Sequence, residues 1–161
     1  MNEIAFRAPD STPAIAPRPR SVTLAFRALV AAVGFGVAET AVHSAGQFGQ
    51  STGFGSLAAG WLTRAGIYVV VLVVAWRMLH GDRWARIALT IGIGVLGTAS
   101  LLIEPLTALV AAEGATELLP DATVENVLVA ITRIGHIVAV LIAIPAMWTP
   151  TAHAWFIRVR R

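Results

Sequence analysis

The chain has 161 residues, 57% of them hydrophobic and 13% charged, with a mean hydropathy of +0.74. Soluble domains carry about 25% charged residues, so this composition excludes an ordinary water-soluble domain and fits a polytopic membrane protein. Cys and Lys are absent, which excludes disulfides, thiol catalysis and Cys-ligated zinc and makes all 12 basic residues Arg. The net charge of +3 would suit nucleic acid, but the Arg positions are better explained by membrane orientation, and no nucleic-acid partner is expected.

Residues 1–20 carry Pro9, Pro13, Pro17 and Pro19 among Ser, Thr and Ala. Such a segment reads as a disordered cytoplasmic lead-in, too long for a cleaved signal peptide. The first span covers about residues 22–45, with Arg27 near enough to the cytoplasmic end to snorkel. Leu29, Ala32, Gly36, Glu39 and His43 recur at 3-4-3-4 spacing on one helical stripe. The small residues of that stripe let another helix approach closely. A Gly-rich, uncharged loop, residues 46–56, follows.

The second span covers about residues 57–79. Gly60, Arg64, Tyr68, Val71 and Ala75 share a face, and Trp61 and Trp76 suit the two interfaces. The connection 77–86 has three Arg and a Gly-Asp turn signal. The third span covers about residues 87–112, with a small and polar face of Thr90, Gly94, Gly97, Ser100, Glu104 and Thr107, and Pro105 predicts a kink beside Glu104. The loop 113–123 is acidic, and Thr123 or Asp121 is placed to cap the next helix.

The fourth span, Val124–Trp148, is almost wholly apolar, yet holds Arg133 and His136 three residues apart near its middle. A central Arg costs roughly 2.5–3.5 kcal/mol even on lenient insertion scales, so other spans must answer that charge. Residues 150–161 read as a basic cytoplasmic tail. The fold expected is all-α, an up-and-down four-helix transmembrane bundle. With both termini inside, ten Arg fall on the cytoplasmic side and the outer loops hold Glu113, Glu117 and Asp121; the positive-inside rule then selects N-in/C-in.

Counted inward at 1.5 Å per residue, Glu39, Arg64, Glu104 and Arg133 fall about 9–14 Å below the outer surface, one from each span. Two acids and two bases in one layer predict a charge-neutral cluster, with Tyr68 one turn inward from Arg64, His136 deeper and His43 shallower. One reading is a structural lock on helix register; the other is a functional pocket open to the outside. Arg64 also has the option of snorkelling to the outer interface. No metal or cofactor is expected: a di-metal carboxylate bundle needs two Glu-x-x-His pairs, and His43 and His136 lie about 15 Å apart along the membrane normal, too far for one haem. His80 and His153 read as solvated flanks.

No GxSxG, HExxH, Walker or GxGxxG motif occurs. Two function classes follow. The first is a non-enzymatic protein acting by helix–helix association with a membrane partner or with itself. The second is a binding or transport protein for a small or lipophilic ligand, working as a dimer through Glu39, Arg64, Glu104, Arg133, His136, His43 and Tyr68.

Three pieces carry a resemblance: residues 18–22 (RPRSV), 81–86 (GDRWAR) and 150–156 (PTAHAWF). Together they resemble small four-span membrane proteins of actinobacteria, in which a Trp-Ala-Arg signature opens the third span. The resemblance implies the four-helix fold, and it implies no activity. The location expected is the bacterial cytoplasmic membrane.

Overall fold

The computed structural model describes residues 17–47, 54–111 and 123–159, without the side chains of residues 46, 47, 54, 56, 57, 104, 105, 108, 109 and 111. Most of the Pro-rich lead-in and most of the loops expected at 46–56 and 113–123 therefore lie outside the described residues. The described chain is helical apart from its turns: α1 Arg20–Gln47, α2 Phe54–Leu79, α3 over 83–111, α4 Val124–Trp148 and α5 Pro150–Arg158. The first four contain stretches long and apolar enough to cross a membrane, Arg20–Ala45, Ala58–Leu79, Arg83–Ile103 and Val124–Trp148. This is a multi-pass membrane protein with an all-α, four-helix bundle. Lipid leaves the backbone no outside hydrogen-bond partner, and continuous helices satisfy it internally.

The helices form a ring in which α1 contacts α2 and α4, while α3 contacts α2 and α4. The α1–α4 pairing is by far the most extensive. Its seam is built of small residues, Ala25, Ala28 and Ala32 on α1 with Ala139, Ala143 and Ala146 on α4. Small side chains let two backbones approach, which is how helices gain van der Waals contact where water supplies no drive. Gly135 continues the seam: a Cβ there would stand 2.5 Å from the Phe35 ring.

The turn between α2 and α3 shows why Gly81 stands where it does. Its φ is +93°, and its N–H donates to Met78 O at 3.0 Å while Asp82 N–H donates to Arg77 O at 3.3 Å. Those two bonds cap the end of α2 in a Schellman arrangement, which needs the left-handed residue that glycine supplies. At the other end of the bundle, Thr123 caps α4 by accepting from Asn126 N–H, as its position predicted.

Two features depart from the sequence reading. The third span is not a uniform α-helix, because residues Thr90–Gly97 are π-helical between Arg83–Leu89 and Thr98–Ala111. The helix assignment runs on through Pro105. Three glycines, Gly92, Gly94 and Gly97, fall in the π segment, and Gly94 lies against the end of the Ile144 side chain, which a Cβ there would displace.

The second departure is the tail, which is a helix docked on the bundle. Thr149 accepts from Ala152 N–H and Pro150 takes the first helical position, a strong start signal. Ala152, Trp155 and Phe156 are buried. Arg86, which in sequence reads as an orientation charge, is also buried. Its guanidinium lies 4.1 Å from the Trp148 ring and 5.1 Å from the Phe156 ring, and Nη1 donates to Met147 O. Aromatic faces and a carbonyl at a helix C-terminus both favour a cation, so Arg86 ties α3, α4 and α5 together.

The core is consequently concentrated in one half of the bundle. Val22, Leu29, Met78, Leu89, Met147 and Phe156 all lie in the half that holds both described termini and the α2–α3 turn. In the other half α3 parts from its neighbours, while α1 stays on α2 and α4. Packing of α2 on α3 is concentrated at Arg83–Leu89, and among the described residues 98–111 makes no comparable contact with the other three spans.

Candidate functional site

Where α3 parts from its neighbours, the helices enclose a cavity of about 410 Å³ lined by all four spans. Its walls mix apolar side chains, including Val33, Ile67, Val71, Ile93 and Leu101, with Glu39, Thr40, Arg64, Tyr68, Ser100, Arg133 and His136. A cavity of several hundred Å³ with an apolar wall and a few convergent polar groups has the general form of a small-molecule site.

The first polar group is an ion pair between α1 and α4. Arg133 Nε donates to Glu39 Oε1 at 2.9 Å, with side-chain exposures of 24% and 14%. Opposite charge at shared depth allowed Arg133 to pair with Glu39, with Glu104 or with both; the first of these pairs is present, and the Glu104 side chain lies outside the described residues. His43, one turn outward from Glu39, stands with Nε2 3.9 Å from Glu39 Oε1 and Nδ1 3.9 Å from Glu125 Oε1. It therefore lies between two carboxylates where α1 meets the start of α4, within ion-pair range when protonated.

The second group centres on Thr40. Its hydroxyl donates to Gly36 O at 2.9 Å and lies 3.2 Å from Tyr68 Oη and 3.3 Å from Arg64 Nη1. A hydroxyl has one proton and two lone pairs. Because the proton goes to Gly36, Tyr68 and Arg64 are both donors to Thr40. Gly36 makes this approach possible, since a Cβ there would stand 2.9 Å from Tyr68 Oη. Thr40 thus joins α1 to α2 beside the Glu39–Arg133 pair.

His136 lies deeper. Its Nδ1 is 2.9 Å from Ala32 O, and a carbonyl only accepts, so Nδ1 carries a proton. The neutral ring then presents the Nε2 lone pair, and the charged ring a second N–H. Ala32 lies eleven residues, or about 16 Å at 1.5 Å per residue, inward of His43 along α1. The two histidines accordingly belong to different levels of the site, as their depths predicted.

Five of the sequence candidates, Glu39, Arg64, Tyr68, Arg133 and His136, line one cavity, and His43 borders it. The Glu104 side chain lies outside the described residues. Thr40 and Ser100 line the cavity without having been picked as candidates. Thr40 had a signal in sequence: it lies four residues after Gly36, on the helical neighbour of the chosen stripe. Glu125 was missed because only folding brings the start of α4 beside His43.

Glu39 is the one carboxylate among the described lining residues, against the guanidiniums of Arg64 and Arg133. Arg64 is exposed, and among the described residues its hydrogen-bond partner is the neutral Thr40 hydroxyl. Compared with models of protein families, with curated proteins and with solved structures, the chain matches none of them.

Proposed function

We propose that this membrane protein binds a small ligand in the cavity between its four spans, as a binding or carrier protein and not as an enzyme. The observation that carries the reading is that all four spans contribute to one cavity in which charged and hydroxyl side chains converge. A pure structural lock would be closed over, because filling space around a buried pair adds dispersion contacts and a void forfeits them. Here the tightly packed half of the bundle serves as a base, and the charges stand in the open half. The π segment at Thr90–Gly97 supports the same reading, since Gly92 and Gly97 form part of the wall and π-helical turns recur at functional sites.

The setting proposed is the bacterial cytoplasmic membrane with both termini in the cytoplasm, on the distribution of Arg given above. The cavity then opens toward the outer leaflet. Association with a partner helix gains less support, because the exposed apolar faces of α2, such as Leu62, Val69 and Val73, are equally suited to lipid.

A thermal-shift screen of small amphiphiles and polar metabolites on the purified protein tests the proposal, with Gly92→Leu run in parallel. Gly92 lines the cavity and a Cβ there meets no other atom within 4 Å, so a Leu is expected to be accommodated at that wall and to narrow it. A ligand that raises the melting temperature of the parent and not of Gly92→Leu supports the reading. Ligands that shift both equally, or no shift across the screen, count against it.

A further inference from the structure

We propose that the cavity takes the acidic head of a single-chain amphiphile, a carboxylate or phosphate, entering sideways from the bilayer between α2 and α3 with Arg64 as its docking cation. The inference rests on the ligand-binding reading above and names the class of ligand.

The first observation is the direction in which the cavity opens. Arg64, Ile67, Gly92 and Ser100 line it and are also exposed. Exposed and lining at once, they mark an opening between α2 and α3. The packing agrees, since these helices hold together at Arg83–Leu89 and part beyond it. The α2 flank of the opening is apolar, with Ile67 more than half exposed. In a bilayer such a gap faces acyl chains, so a ligand using it has an apolar portion.

The second observation is charge. Arg133 is engaged by Glu39 at 2.9 Å. Arg64 rests on the Thr40 hydroxyl at 3.3 Å, a neutral and long contact for a guanidinium. A guanidinium at the rim of a low-dielectric site favours an anion, and its planar fork matches two oxygens of a carboxylate or phosphate. Tyr68 stands one turn inward with a hydroxyl that an incoming oxygen can share with Thr40. A head group and the first methylenes fit in about 410 Å³, and the rest of the chain lies along the gap. Neutral lipids gain nothing from Arg64, and cations are repelled by it.

The test is equilibrium binding of radiolabelled dodecanoate and dodecyl phosphate, with dodecanol as the neutral match, to the full chain in nanodiscs of zwitterionic lipid. Both anions are expected to bind saturably and at least about tenfold more tightly than dodecanol, the least a charge-assisted hydrogen bond contributes. Arg64→Gln should bring the anions down to the level of dodecanol, while Arg64→Lys keeps most of the preference because the charge remains. Equal binding of dodecanol and dodecanoate, or an Arg64→Gln variant with undiminished preference, overturns the assignment of an anionic head and leaves the cavity as a binding site. Dodecanoate binding unchanged in Gly92→Leu places the ligand elsewhere and overturns the ligand-cavity reading itself. An Arg64→Gln protein that no longer folds leaves Arg64→Lys against dodecanol as the deciding comparison: loss of the preference there overturns the proposal.

Discussion

Replacing Arg133 by Leu should destabilise the bundle through the carboxylate it leaves behind. In the native protein Arg133 Nε and Glu39 Oε1 are 2.9 Å apart, at side-chain exposures of 24% and 14%. Breaking a fully buried pair costs about 3–5 kcal/mol, and an exposed pair is worth about 0–1 kcal/mol. This pair faces a cavity and has His43 beside the carboxylate, so the cost falls between, at about 2–3 kcal/mol. For a chain of this size that corresponds to a fall in Tm of roughly 5–10 °C. Adding Glu39→Gln removes the orphaned charge and should return at least half of the loss. The assay is thermal unfolding in a neutral detergent followed by tryptophan fluorescence, with all four members of the cycle. If Arg133→Leu melts within about 1 °C of the parent, or Glu39→Gln adds to the loss instead of reversing it, the two charges are not coupled.

Periplasm-dependent reporters fused in the loops at 46–56 and 113–123 should be active and those at Arg83 and Arg161 silent; the reverse pattern would invert the topology. Gly36→Leu should lower stability by about 1–3 kcal/mol, because its side chain displaces the Tyr68 ring and separates Tyr68 from Thr40; a melting curve like the parent's would mean that α1 and α2 do not meet there. Phe156→Ala removes a ring that is 1% exposed and should cost about 3–5 kcal/mol, whereas a dispensable tail would tolerate it.

The spans were legible because apolar runs of bilayer length have few other fates in a chain with 13% charged residues. Val124–Trp148 falls at the residues expected, and Thr123 supplies the cap. The Glu39–Arg133 pair was legible for a related reason. Few charges lie inside the spans, each must be answered, and depth counting leaves few partners. Thr40 was not, since a Thr inside an apolar helix usually bonds its own i−4 carbonyl, as this one does to Gly36. Its second role, receiving Tyr68 and Arg64, depends on how α2 lies against α1.

The tail helix could have been read from Thr149-Pro150, a cap followed by the favoured first residue. Its Arg residues suggested only a solvated flank. Arg86 was hidden in the same way, because an Arg in a basic connection is ordinarily an orientation signal. Only the placement of Trp148 and Phe156 turns it into a buried cation. The π segment had weak precedent in its glycines, which are equally at home in close helix packing. The opening between α2 and α3 arises from where contacts stop, and no local pattern encodes that.

The central claim is that polar space reachable by small molecules lies among the spans, and cysteine labelling measures it directly. The chain contains no Cys, so a single introduced thiol reports alone. Ser100→Cys would line the cavity, whereas Val95→Cys, at a position 59% exposed, would face lipid outside it. A maleimide reacts with the thiolate, which forms only where water reaches the sulfur. In membrane vesicles Ser100→Cys should react with N-ethylmaleimide much faster than Val95→Cys, and adding Gly92→Leu should slow it. If the two thiols react alike, or Gly92→Leu changes nothing at residue 100, the four spans do not enclose an accessible cavity.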